Sequence, residues 1–392
     1  MIPGGLSISY LPPFPIVAGF FITSAFFGLI GAILALYSSV SGGFVLRELV
    51  HTYTLGFLGM VMFGALFQML PVVAGAIIGR PLLKAALLHA SLFVGTLTFV
   101  FGSIYLGNVL AGGGMGTAAA YMLYKLFTVR AHDPTPYGMR FALFFLLVGT
   151  AVGTIGVFAP GNYLYVIELH VALMLIGWVL LLIASVSFRV IEMFFVTPPY
   201  PKTFGKAFPW LVGVGILLNA LSGFHYITKA LLSVLALSFA FLTLDRLARR
   251  KRKLPDPLVR LWQVGMVSCT ISALLYPFNE VFILFLFFFG TFAQSVVMAM
   301  MYRIIPFLVW IHLSNKGIRD APTMHEVIRP SRTLKHLYLH LLCVVSFLVS
   351  FFTDVPALWV GTALLYCFSF GTLFFNISWG VRTYFVYAFP QR

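Results

Sequence analysis

Histidine is the residue with the widest chemical reach in this chain, which carries nine of them among 392 residues. In a low dielectric an imidazole stays neutral, and its ring nitrogen is the usual axial ligand of haem iron and a common ligand of copper. Sorted by depth along the apolar segments delimited below, His51, His170 and His225 fall on the outer side. His51 opens the second segment and His225 the eighth, while His170 lies about two turns into the sixth, roughly 12 Å from Asn162 at 1.5 Å per residue. Two or three such rings converging at one depth would hold a metal ion. For any one of them alone, a hydrogen-bonded interfacial residue is the plain alternative. Lys229 follows His225 by four residues on one helical face, and an ionisable residue inside a span is a functional hint. Lys229 and Glu168 are therefore candidates for a proton or charge relay, against the simpler reading of a snorkelling lysine paired with Glu168 or Glu280. Glu168 precedes His170 by two residues, so the two side chains point in different directions on a helix.

The remaining histidines, His89, His132, His312, His325, His336 and His340, fall on the cytoplasmic half or in its loops. His336 and His340 have i, i+4 spacing, which suits a metal on a helix. The charge-rich stretch from Lys316 to His340, however, reads as a solvated loop leading into a helix. Cys269, Cys343 and Cys367 lie inside apolar runs and form no CxxC pattern or disulfide framework. The chain has no nucleophile triad and no HExxH, and Gly112–Gly116 joins no strand that would make it a phosphate cradle.

The elements that position these residues follow from composition. With 61% hydrophobic residues, 9% charged residues and a mean hydropathy of +1.01, the chain cannot present a water-facing surface and is expected to be an all-α polytopic membrane protein. Met1–Pro15 carries no positive charge, so the first apolar segment is expected to be a retained helix rather than a cleaved signal. Cutting at charges, Pro and Gly gives twelve transmembrane helices near 14–39, 49–79, 85–107, 108–129, 140–160, 162–196, 207–223, 224–246, 259–278, 279–312, 337–355 and 356–388. With the N-terminus inside, every basic residue except Arg47 and Lys229 faces the cytoplasm, which orients both termini inward, in what is expected to be a bacterial inner membrane. The run Arg249–Lys253 is then a topology anchor at anionic headgroups of the lipid bilayer, and the net charge of +15 implies no nucleic acid partner.

Spans two, six and ten end alike, in Phe67-Gln68-Met69-Leu70-Pro71, Phe188-Arg189-Val190-Ile191-Glu192 and Tyr302-Arg303-Ile304-Ile305-Pro306. Upstream, Gly64, Ser185 and Ala299 are small at the equivalent position, and Gly56 aligns with Gly177, which favours close helix approach. A motif returning every four spans points to three four-helix arcs in a pseudo-threefold arrangement. The whole chain, 1–392, is then a single transmembrane domain with internal repeats near 85–196, 207–315, and 337–388 together with 14–79. His51 and His170 form the better pair because the repeat relates their helices.

Twelve spans, inward termini, four-helix arcs and a histidine at the outer start of span two together resemble subunit I of the heme-copper oxidases and nitric oxide reductases. Val50-His51-Thr52-Tyr53-Thr54-Leu55-Gly56 through Phe63-Gly64-Ala65-Leu66-Phe67-Gln68-Met69-Leu70-Pro71 looks like that family's second helix, where the histidine ligates a low-spin haem. His170 with Gly177 and Arg189 is similar to the matching stretch of the NnrS-type haem and copper membrane proteins of the nitric-oxide response. The chain departs from the oxidase pattern in span ten, where Asn279 to Ile304 holds no histidine, and in having Met174 four residues after His170. The resemblance thus implies one haem b or copper site near the outer face, with His51 and His170 as axial candidates and His225 as a third, and no complete dioxygen-reducing binuclear centre. It implies electron transfer or nitric-oxide and respiratory metabolism, with other respiratory or cytochrome subunits as partners, and leaves open whether the chain is an enzyme. A twelve-helix secondary transporter and a cofactor-free structural subunit of a respiratory complex are the competing readings.

Overall fold

The computed structural model describes residues 10–43, 45–130, 133–158, 161, 163–278 and 286–389, with the backbone alone for 286–289. Among these residues the structure is helical and contains no strand. A chain this apolar must satisfy its backbone polar groups within each segment, and a helix does so. The long helices are α1 (Phe14–Ser41), α2 (Leu46–Val73), α3 (Pro81–Phe101), α4 (104–127), α5 (Pro134–Phe158), α6 (Tyr163–Phe195), α7 (Lys202–Leu221), α8 (Tyr226–Ala248), α9 (Pro257–Phe278), α10 (286–315), α11 (Pro330–Thr353) and α12 (Pro356–Ala388). Among the described residues, eleven helices are long and apolar enough to cross a membrane; α4 is the helix outside that set.

Several boundaries differ from the sequence reading for an identifiable reason. Helices α5, α7 and α11 begin at residues 134, 202 and 330 rather than 140, 207 and 337. Cutting at charges trims first turns that Pro and Asp build. Asp133 and Asp256 each accept, at 2.9 Å, the amide of the residue two positions on, Thr135 and Leu258, just ahead of the prolines that start α5 and α9. The break expected at 107/108 lies instead at Gly102–Ser103, where Ser103 caps α4 by accepting the Leu106 amide. Helix α2 ends at Val73, shortly after Pro71, rather than at 79. The turn between α7 and α8 falls where expected, with Gly223 and Phe224 both at positive φ.

By backbone contacts the chain divides into two compact units. The first holds residues 66–254 and 263–292, and the second holds 13–65, 255–262 and 293–392. In the first, α5 packs along α4, α6 and α7. Gly177 of α6 takes the ring of Phe145, whose Cγ would lie 2.7 Å from an added Cβ. In the second, α1 runs along α12, Gly28 lies under Phe370, and Gly56 lies under Phe27. The paired glycines therefore seat aromatic rings from neighbouring helices.

The three motif-bearing helices share one further feature, and two of them share a second. Each carries a π-helical stretch upstream of its motif, Thr52–Gly59 in α2, Ala172–Leu180 in α6 and Leu286–Ala293 in α10. In two copies the motif arginine meets the Asp-Pro cap of the preceding helix: Arg189 with Asp133 at 3.4 Å and Arg303 with Asp256 at 2.7 Å. In the first copy Gln68 replaces the arginine and α1 starts at Pro13-Phe14 without an aspartate.

Candidate functional site

The structure treats His51 and His170 alike. Nδ1 of His51 lies 2.8 Å from the carbonyl oxygen of Arg47, and Nδ1 of His170 lies 2.9 Å from that of Gly149 on α5. A carbonyl only accepts, so Nδ1 carries the proton in both rings and the Nε2 lone pair points away from the tether. Metal-ligating histidines are held in this way, with the second nitrogen donating to a carbonyl or carboxylate. Each ring also stands at the mouth of a π-helical stretch, a feature frequent at functional sites. His170 needs space on α5, and Gly153 supplies it: a Cβ there would lie 2.7 Å from Cε1 and 2.8 Å from Nδ1 of the ring. His51 belongs to the second unit, and His170 and His225 to the first.

His225 has a different task. It is the N-cap of α8, its Nδ1 accepts the Ile227 amide at 3.4 Å, and its ring lies against Tyr226. This is the opposite tautomer to that of His51 and His170, with the proton on Nε2. Among the described residues, no three His, Cys, Asp or Glu side chains form a metal-ligand group.

Lys229 and Glu168 do meet. Nζ of Lys229 lies 3.1 Å from Oε2 of Glu168, with the lysine 1% exposed and the glutamate 30%. The ammonium therefore does not snorkel; it lies inside the first unit, 5.8 Å from the ring centre of Tyr276 and 6.0 Å from that of Phe224. Asn219 donates to the Tyr276 hydroxyl and accepts from Thr228, which fixes the aromatic wall. Glu280, the other acidic partner considered, lies outside the described residues, as do Asn162, Asn279 and His132. Glu168 and His170 turn to different neighbours, as their i, i+2 spacing dictates. A small apolar cavity beside the pair is lined by Ile176 and Leu180 of the π stretch, Leu232, Cys269 and Tyr276.

The stretch ending at His340 is not a solvated loop throughout. Because α11 starts at Pro330, His336 and His340 lie on its inward face, 1% and 0% exposed. His336 uses both nitrogens, Nδ1 with the Tyr302 hydroxyl at 2.6 Å and Nε2 with Ser369 at 3.0 Å, so it is not poised as a metal ligand. His340 pairs with Ser295 at 2.7 Å. His312 lies against the paired rings of Phe14 and Tyr384. Gly149 and Gly153 on α5, the Asp-Pro helix starts, and the partners of His336 were missed at the sequence level. A small-xxx-small spacing in Gly149 and Gly153 and the repeated Asp-Pro dipeptide were the available signals.

The chain matches no protein-family model, and no curated protein matches it.

Proposed function

We propose that the protein is an integral membrane haem b or copper protein of oxidase-like organisation, with His51 and His170 as ligands through Nε2. One observation carries this reading: histidines on two repeat-related helices share an Nδ1–H to backbone carbonyl tether at the mouth of a π-helical stretch. Bound haem or copper would supply one-electron exchange. The chain's own part is to hold tautomer and orientation. The Arg47 and Gly149 carbonyls keep the proton on Nδ1, and Gly153 leaves room for the ring of His170. The Lys229–Glu168 pair places a fixed charge pair between α8 and α6, beside the π stretch of α6. In this reading α4 is the twelfth span, both termini are cytoplasmic, and the motif helices head three four-helix arcs in a bacterial inner membrane. Electron transfer in respiratory or nitric-oxide metabolism is the corresponding role.

Absorption spectroscopy and metal analysis of the purified full chain test the reading. A Soret band with sharp reduced α bands, or stoichiometric copper, is expected, and His51→Ala and His170→Ala should each remove or shift it. A colourless, copper-free preparation from haem-replete cells overturns the proposal.

A further inference from the structure

Four cations lie at the end of the second unit where α11 begins and α12 ends. Arg329 is the N-cap of α11, Arg332 and Lys335 follow it at three-residue steps, and Arg382 lies near the end of α12. The first turn of α11 holds no acidic residue and no side-chain cap. Cations at a helix N-terminus oppose the positive end of its dipole, so this grouping costs stability until an anion joins it. Among the described residues none of the four meets a carboxylate. Glu326, the nearest acidic residue along the chain, is engaged by Thr323.

Arg332 is held in a fixed plane. Its guanidinium carbon lies 4.6 Å from the ring centre of Trp379 and 5.8 Å from that of Phe375, and the two rings are 6.3 Å apart. A guanidinium stacked on aromatic rings keeps the N–H donors of its edge free, the fork that grips phosphate oxygens in pairs. Nη1 of Arg332 is buried and has no hydrogen-bond partner among the described residues. Buried donors ordinarily have one, which leaves this cationic N–H ready for an acceptor. The rings beneath are themselves open to the surface, Trp379 at 40% and Phe375 at 57% exposure. Toward the middle of the span the exposed side chains are apolar, Leu334, Leu342 and Val345 on α11 and Leu364 and Phe368 on α12. A charged headgroup site therefore opens onto a surface suited to acyl chains.

We propose that this cluster binds the phosphate of an anionic membrane phospholipid. Arg332 is its central ligand, Arg329, Lys335 and Arg382 supply charge, and the acyl chains lie along α11 and α12. Four positive charges without acidic partners favour a headgroup of net negative charge over a zwitterionic one, whose own cation they repel. The tryptophan floor and the apolar strip below it select a lipid over dissolved phosphate, since an indole ring is at home at the headgroup level. The site lies wholly within the second unit and needs neither His51, His170 nor a bound cofactor.

Native mass spectrometry of the full chain released from detergent micelles tests this, with phosphatidylglycerol, phosphatidylcholine and inorganic phosphate as the probes. One phosphatidylglycerol should be retained about tenfold or more tightly than phosphatidylcholine. Arg332→Gln should weaken that retention by about fivefold or more. Arg332→Lys should lose most of it too, because an ammonium keeps the charge but neither the planar stack nor the fork. Arg382→Gln serves in place of the Arg332 variants if those misfold, and Lys251→Gln, in the separate run Arg249–Lys253, should leave this retention intact. Equal retention of the two lipids, unaltered retention in a folded Arg332 variant or its Arg382→Gln substitute, an equal loss in Lys251→Gln, or displacement of phosphatidylglycerol by millimolar inorganic phosphate overturns the proposal.

Discussion

Glu168→Gln and Lys229→Met break the same contact, yet their costs should differ several-fold. Lys229 is 1% exposed and Glu168 30%. Removing the carboxylate takes one partner from a buried ammonium, and stripping a partner from a buried pair costs at most about 3–5 kcal/mol. The rings of Tyr276 and Phe224, at 5.8 and 6.0 Å, return part of that, since a desolvated cation–π contact reaches about 2 kcal/mol. The expected net loss for Glu168→Gln is about 2–3 kcal/mol. In Lys229→Met an apolar chain of similar length fills the space, and the partly exposed glutamate recovers hydration. After allowance for that screening, the loss is about 1 kcal/mol or less. The double variant carries neither charge and should regain most of the stability lost in Glu168→Gln. Unfolding of the full chain by sodium dodecyl sulfate in mixed micelles, followed by tryptophan fluorescence, measures all three. Equal losses for the two single variants, or additive losses in the double, would refute the reasoning.

Two further outcomes follow from local geometry. Gly153→Ala places a methyl 2.7 Å from Cε1 of His170 and should tilt the ring off the Gly149 carbonyl. The expected cost is about 1–3 kcal/mol of overpacking, and about 10–100-fold in affinity for whatever the ring ligates. Gly113→Ala, with nothing within 4 Å of the new atom, is the control, and a Gly153→Ala protein with wild-type stability and cofactor titration contradicts the placement. Thr323 donates its amide and hydroxyl to the Glu326 carboxylate at 2.7 and 2.9 Å, which holds that carboxyl below its usual range. A lowered folded value stabilises the cap above the ordinary carboxylate pKa, and the gain disappears as the pH falls through the lowered value. Amide exchange across 324–327, corrected for intrinsic rates, should therefore accelerate on acidification, and Glu326→Gln should abolish that dependence.

The helices were legible because a bilayer admits few alternatives. Runs of about 20 apolar residues imply helices, and α1, α6, α8 and α12 lie close to where hydropathy sets them. Helix starts were less legible, because Asp133-Pro134 and Asp256-Pro257 carry the helix into polar sequence that hydropathy discards. The motif repeat was visible as five-residue strings, but its Arg–Asp pairing depends on which loop returns to which helix end. The charged residues upstream make the entry of span eleven, where His336 and His340 lie, read as a solvated loop leading into a helix, whereas the helix starts at Pro330 and buries both rings. Burial of that face is decided by α10 and α12, which supply Tyr302, Ser295 and Ser369.

Residue types and periodicity alone determined that this chain is helical, belongs in a bilayer, and holds several ionisable side chains at depth. Each of those properties depends on the free energy of moving groups out of water, which is local and nearly additive. Only tertiary structure decided that Lys229 reaches Glu168 across 61 positions, that His170 rests on Gly149 and Gly153, and that α11 turns its polar face inward. Those outcomes depend on which helix faces meet. Packing, hydrogen-bond geometry and the exclusion of lipid settle that jointly over the whole bundle, so no single segment encodes it.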